Sequence, residues 1–158
     1  MGQGLCQGSA EPDRGEGLTP GAPPVNGVLE TGLYVEDVAR SRAFYTRLFA
    51  FPVLVEDDRL CALDVAGRAV LLLFRRGGTT ETVHIPGGAI PGHDGSGTLH
   101  YAFAIAAAHL EAWAERLRSE DIEIESRVRW PRGGVSLYFR DPDGHLVELA
   151  TPGVWATY

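Results

Sequence analysis

The sequence predicts an α+β fold in which one β-α-β-β-β unit is used twice. Three observations point to it. An apolar strand, Leu29-Glu30-Thr31-Gly32-Leu33-Tyr34-Val35, is followed by a helical stretch. Seventy residues later Leu99-His100-Tyr101-Ala102-Phe103-Ala104-Ile105 is again followed by one. Each copy then closes with strand-sized apolar runs joined by turn residues. A period of one whole supersecondary unit constrains a fold more than any single motif does.

The elements follow in order. Residues 1–27 are rich in Gly, Pro and Gln and poor in large apolar residues, so they cannot bury enough surface to offset ordering entropy and are predicted to be a disordered tail. A single domain is predicted over residues 28–152. Its first module, 28–75, starts with a strand over Val28–Val35. Asp37 is a good N-cap for a helix over Val38–Phe49, where Val38, Phe44, Tyr45 and Leu48 form a stripe. Pro52–Glu56 is a short strand. Arg59–Val65 and Ala69–Phe74 flank Ala66-Gly67-Arg68, which is hairpin chemistry. Residues 76–98 hold seven glycines and two prolines and are predicted to be a long linking loop.

The second module, 99–150, repeats the order. Leu99–Ile105 is a strand, and Ala107–Ser119 a helix with Leu110, Trp113, Ala114 and Leu117 on one face. Ile122–Val128 is a strand. Val135–Arg140 and His145–Ala150 flank the turn Asp141-Pro142-Asp143-Gly144. Residues 153–158 form a C-terminal tail expected to pack through Trp155.

At 158 residues the chain has the length of one ordinary domain, and 44% hydrophobic with 22% charged residues marks it as globular. A net charge of −7 without any Lys/Arg block argues against nucleic acid and anionic membrane as partners. No apolar run reaches a membrane span and no secretory signal is visible. Cys6 and Cys61 make no disulfide framework and are expected to be reduced thiols in a cytoplasmic protein.

Side chains alternate across a strand, so Glu30, Gly32 and Tyr34 share the face opposite the helix-packing residues Leu29, Thr31, Leu33 and Val35. In the matching strand His100, Ala102 and Ala104 lie opposite Tyr101 and Phe103. Glu148 sits mid-strand between Val147 and Leu149. A curled sheet with small and ionisable residues on its inner face makes a cup. Aligning the two units puts Leu72 where the second has Glu148. Four facing positions result, filled by Glu30, Leu72, His100 and Glu148, and three of them can bind a metal.

These segments, with Glu36-Asp37-Val38 and Phe44-Tyr45 after the first strand and Ser136-Leu137-Tyr138-Phe139-Arg140-Asp141-Pro142-Asp143-Gly144-His145-Leu146-Val147-Glu148-Leu149 at the end, resemble the vicinal oxygen chelate superfamily. That superfamily includes glyoxalase I, bleomycin resistance proteins, fosfomycin-resistance enzymes and extradiol dioxygenases. The resemblance implies paired βαβββ modules that form a cup-shaped mixed sheet, helices outside, around a divalent metal held by Glu30, His100 and Glu148. It also implies a homodimer in which modules pair between chains, so that Glu30 comes from one subunit and His100 with Glu148 from the other. The chain departs from the usual pattern at three places. Glu30 stands where His or Gln is usual, Leu72 where glyoxalase I has an acid, and Gly32 where the fosfomycin enzymes have Thr.

Two carboxylates and one imidazole leave room on a six-coordinate ion for a small substrate to bind through two oxygens. The chemistry expected is lyase or isomerase chemistry through Lewis-acid stabilisation of an enolate or alkoxide. Mn, Fe, Ni, Co, Zn and Mg all suit such ligands. Glu30 and Glu148 are the candidate catalytic groups, with Glu30 a general base if it detaches. Trp130, Arg132, Ser136, Tyr138 and His93 are candidate substrate contacts. Asp141 and Asp143 read as turn chemistry and His145 as structural. The alternatives are a ring-cleaving dioxygenase and a metal-free protein that sequesters a small drug or toxin.

Overall fold

The computed structural model describes residues 21–158. Most of the predicted N-terminal tail, with Cys6, lies outside them, and residues 22–29 are exposed and carry neither helix nor strand. The first module contains β1 (Glu30–Val35), α1 (Val38–Phe49), β2 (Val53–Glu56), β3 (Leu60–Val65) and β4 (Ala69–Arg75). After the linker hairpin β5 (Val83–Ile85) and β6 (Gly88–Ile90), the second contains β7 (His100–Ala104), α2 (Leu110–Ser119), β8 (Ser126–Arg129), β9 (Val135–Arg140) and β10 (Leu146–Ala150).

The repeat read from the sequence is repeated in the hydrogen bonding. The first sheet has strand order β1-β4-β3-β2 and the second β7-β10-β9-β8. In each, the first strand runs parallel to the last and the other pairs are antiparallel. Glu30 pairs with Val70 and Gly32 with Leu72, as His100 pairs with Leu146 and Ala102 with Glu148. Glu30 and His100 are therefore equivalent, and so are Leu72 and Glu148.

Local sequence sets the helix ends. The Asp37 carboxylate accepts the Arg40 amide at 3.0 Å, satisfying one of the free N–H groups of the first turn. Ala50 closes α1 in the left-handed region at φ 57°, its N–H donating to Thr46 O, just ahead of Pro52. The buried stripe of α1 is Val38, Ser41, Phe44, Tyr45 and Leu48. Against it and α2 pack Leu33, Val35, Leu63, Leu71, Leu73, Leu137, Phe139, Val147 and Leu149, so both modules share one core. Cys61 lies in it, and burial, aided by Glu56, pushes its thiol up to about 11.

Four expectations need correction. The linker is not a plain loop: Val83-His84-Ile85 and Gly88-Ala89-Ile90 pair around Pro86-Gly87. The second helix begins as a 3-10 turn over Ala107–His109, without a side-chain cap to start an α-helix there. β8 begins at Ser126, because Ile122 and Ile124 turn inward onto the core before the chain reaches the sheet edge. In the C-terminal tail Trp155 is 72% exposed, and Tyr158 is the anchor, its hydroxyl donating to Ile105 O at 2.9 Å.

The turn after β9 joins the modules. Asp143 accepts the Glu36 amide at 2.8 Å, the Ser41 hydroxyl at 2.8 Å and Arg40 at 3.0 Å. Asp141 accepts the Tyr45 hydroxyl at 2.7 Å together with the amides of Asp143 and His145. His145 is fully buried. Its Nδ1 accepts the Leu99 amide at 2.9 Å, so Nε2 carries the hydrogen and donates to Tyr34 O at 3.2 Å. Asp141 and Asp143, read from sequence as turn chemistry, are thus also an inter-module latch. The cue was present: the turn spends one carboxylate on its own backbone, and Asp-Pro-Asp-Gly supplies two.

Candidate metal centre

β7 and β10 place His100 and Glu148 on the face of the second sheet away from the helices. Their side chains meet diagonally across the parallel pair, His100 Nε2 lying 3.3 Å from Glu148 Oε2. His100 Nδ1 is 3.1 Å from Leu146 O; a carbonyl only accepts, so Nδ1 carries a hydrogen. In the neutral imidazole, Nε2 then presents a lone pair to a carboxylate oxygen. Two electron-rich atoms so placed require a proton or a cation between them. Two ligands bound at right angles to one ion, each at about 2.1 Å, are about 3.0 Å apart. The donor pair therefore fits a metal, and the Leu146 carbonyl behind the imidazole is the kind of outer partner that fixes a ligand's tautomer.

The carboxylate is held as firmly. Glu148 is 5% exposed, and its Oε1 accepts a short hydrogen bond from the fully buried Ser136 hydroxyl. Ser136 in turn accepts from the Trp130 indole N–H at 2.8 Å. Trp130, Ser136 and Glu148 thus form a relay from the loop before β9 to the open face. Tyr138 pairs with Glu148 across β9 and β10, and its ring centroid lies 6.1 Å from that of His100. Burial chiefly, and then the Glu148 charge, push its phenol above the usual range, so it stays a protonated donor at neutral pH.

Three other expected residues lie elsewhere. Arg132 is exposed, with no ion pair or hydrogen bond among the described residues. His93 is placed over the first sheet, its Nδ1 2.6 Å from the Tyr34 hydroxyl. Glu30 is exposed at the start of β1, and among the described residues no three His, Cys, Asp or Glu side chains gather closely enough to hold a metal. Within one chain, then, His100 and Glu148 converge and Glu30 does not join them. Tyr34 is the polar group that sequence reasoning passed over, since a tyrosine on an inner face reads as packing until His93 is seen beside it.

Comparison with known proteins agrees with this fold. Residues 27–149 match the family described as the Glyoxalase/Bleomycin resistance protein/Dioxygenase superfamily. The metallothiol transferase FosB of Staphylococcus saprophyticus is 32% identical over 118 residues, 74% of this chain and 71% of that protein. FosB of Bacillus licheniformis is 30% identical over 122 residues, covering 77% and 72%. Among solved structures, a lactoylglutathione lyase from Agrobacterium tumefaciens superposes with a TM-score of 0.77 at 30% identity, over 85% of this chain and 99% of that one. With the repeated modules, the matched register and this agreement along nearly all of the described chain, the protein belongs to the glyoxalase/bleomycin resistance protein/dioxygenase superfamily.

Proposed function

We propose that the protein is a divalent-metal-dependent enzyme acting on a small oxygenated substrate, with lyase or isomerase chemistry. The observation that carries the reading is the His100–Glu148 pair, which brings an imidazole nitrogen and a carboxylate oxygen within 3.3 Å with both side chains held from behind. The ion would be held by His100, Glu148 and Glu30 of the partner subunit, and when bound supplies Lewis acidity toward two vicinal substrate oxygens. Ser136 and Trp130 keep the Glu148 carboxylate aimed at the open face. Tyr138 offers a hydroxyl beside it. Glu30 holds or accepts a proton at its carboxylate if it is released on substrate binding.

The relatives' names support a thiol-linked substrate: lactoylglutathione lyase and metallothiol transferase both name a thiol compound. A cytoplasmic location belongs to the same proposal; among the described residues no helix is long and apolar enough to cross a membrane.

The test starts with elemental analysis of protein purified without chelator. About one ion per chain is expected, lost in H100A and E148Q. Metal-free protein that still binds small molecules would replace this reading with the sequestering one. Mixing E30A with H100A chains tests the pairing: each is defective alone, yet random heterodimers with shared sites recover about one quarter of the wild-type metal. No recovery would mean that the sites are not built between chains. Turnover is then sought with methylglyoxal plus glutathione and with fosfomycin plus a thiol, and oxygen uptake with catechols tests the dioxygenase alternative.

A further inference from the structure

On the first sheet's open face, Tyr34, Phe74 and His93 form a cluster that the metal chemistry does not use. Tyr34 and Phe74 are register partners on β1 and β4 and stack at 5.7 Å with 28° between ring planes. The Phe74 ring leans over Gly32, where a Cβ would meet it at 3.2 Å. His93 stands edge-on to Phe74 at 4.8 Å and bonds the Tyr34 hydroxyl through Nδ1.

This arrangement is built rather than incidental. The equivalents of Tyr34 and Phe74 in the second module are Ala104 and Ala150, so sheet packing alone does not demand aromatic rings there. His93 is fixed through its main chain: its amide donates to Thr79 O at 2.8 Å, and the buried Thr79 hydroxyl donates to His93 O at 2.6 Å. Asp94 accepts the Gly77 and Gly95 amides, and Gly95 lies so close to Tyr34 that a Cβ would meet the ring at 2.3 Å. The linker is thereby pinned onto β1 at His93.

The hydrogens can be placed. The Thr79 hydroxyl hydrogen is spent on His93 O, and in the tautomer with Nδ1 unprotonated the phenol donates to it, a phenol O–H being more acidic than the N–H of a neutral imidazole. Nε2 then carries a hydrogen, and among the described residues it has no hydrogen-bond partner. Tyr34 and Phe74 are half-buried and His93 is exposed, so a ligand can reach the rings and this donor. Glu30 lies on the same face of β1, four residues from Tyr34, about 13 Å along a strand.

We infer that Tyr34, Phe74 and His93 form a distal subsite for an aromatic group carrying a hydrogen-bond acceptor, on a substrate whose vicinal oxygens lie at the Glu30 end. The ring packs on Phe74 and Tyr34, and the acceptor takes the His93 Nε2 hydrogen. This rests on the metal reading for the position of the head, while the subsite stands on its own residues. It defines a substrate of three parts: a chelating head, one ring, and an acceptor at the far end. Such a molecule, about 10 Å long, covers the stripe of about 13 Å once contacts of about 2–3 Å at its chelating and acceptor ends are added.

The experiment is calorimetric titration of the whole protein, with Mn²⁺ and with EDTA, using glyoxylate, phenylglyoxylate and 4-carboxyphenylglyoxylate. With Mn²⁺ the affinity is expected to rise about tenfold from the first probe to the second and about tenfold again to the third. H93A removes only the second gain and F74A only the first, both with circular dichroism unchanged. Equal affinity for all three probes, or an H93A loss shared equally by all three, overturns the subsite. The two readings fail separately. Glyoxylate binding that depends on Mn²⁺ without a phenyl gain sinks the subsite and keeps the metal. A phenyl gain that survives EDTA, with glyoxylate indifferent to Mn²⁺, sinks the metal and keeps the subsite.

Discussion

The two modules share a strand order and a register, and differ in what they place on the open face. In the second, Glu148, Tyr138 and Ser136 form a connected polar set beside His100. In the first, the same three positions hold Leu72, Ala62 and Leu60, beside Glu30. Where the second module has Ala104 and Ala150, the first has Tyr34 and Phe74. One scaffold thus carries a polar half that suits a cation and an apolar, aromatic half that suits the body of a ligand. The backbone supplies positions; the chemistry depends on whether a side chain that can bind an ion is held from behind. Glu148 has Ser136 and Trp130 behind it, whereas the exposed Glu30 has no such partner among the described residues.

The largest way to break this contrast is to give the second module the first one's residue. Glu148→Leu removes the carboxylate facing His100 and is expected to lower metal retention by about a hundredfold or more, as read by elemental analysis and competition with a chromogenic chelator. Metal content equal to that of the wild type would place the site elsewhere. Ser136→Ala probes the support instead of the ligand. Glu148 keeps its place opposite Tyr138 but loses the donor on Oε1, and an affinity loss of about tenfold to a hundredfold is expected with the fold intact.

Much of this division could be read from the sequence. Period-two alternation put Glu30, His100 and Glu148 off the helix-packed side, and alignment of the units paired Leu72 with Glu148; strand register depends on the same alternation, so the two agree. The Trp130–Ser136 link could not be read, because it depends on how the loop before β9 bends. Nor could the seating of His93, which depends on pairing between Thr79 and His93 across an irregular linker. Loop conformation is set by such specific hydrogen bonds and leaves no periodic trace. The linker hairpin did leave one, since Pro86-Gly87 between two short apolar runs is turn chemistry; the six other glycines of the linker masked the signal.

The modules differ but must stay in fixed relation, and the buried His145 imidazole is the most direct tie, spanning Leu99 N–H in one and Tyr34 C=O in the other. His145→Leu keeps the volume roughly and leaves both backbone groups without their partner. A loss of about 1–2 kcal/mol in urea unfolding is expected, since both backbone groups are part-buried and an unsatisfied group that is fully buried costs about 1–3 kcal/mol. A change below about 0.5 kcal/mol would mean that water or a shifted backbone replaces the tie.

An effect no larger concerns the other tie, and pH reads it. Burial alone would raise the Asp143 carboxyl, but the Glu36 amide, the Ser41 hydroxyl and Arg40 outweigh it and hold the group below the ordinary range. A carboxyl depressed in the folded state takes up protons more readily when the chain unfolds, so the latch's contribution rises with pH. It is complete above the unfolded-state value of about 3.9 and is lost as pH falls through the lower folded-state value. Wild type and D143N, compared by urea unfolding from pH 7 downward, are expected to differ by about 1–2 kcal/mol at neutral pH, with the gap closing below about pH 4. Other carboxyls titrate equally in both chains and cancel in the difference. A gap that stays constant to pH 3 would show that the hydrogen-bond geometry of Asp143, and not its charge, holds the first module against the second.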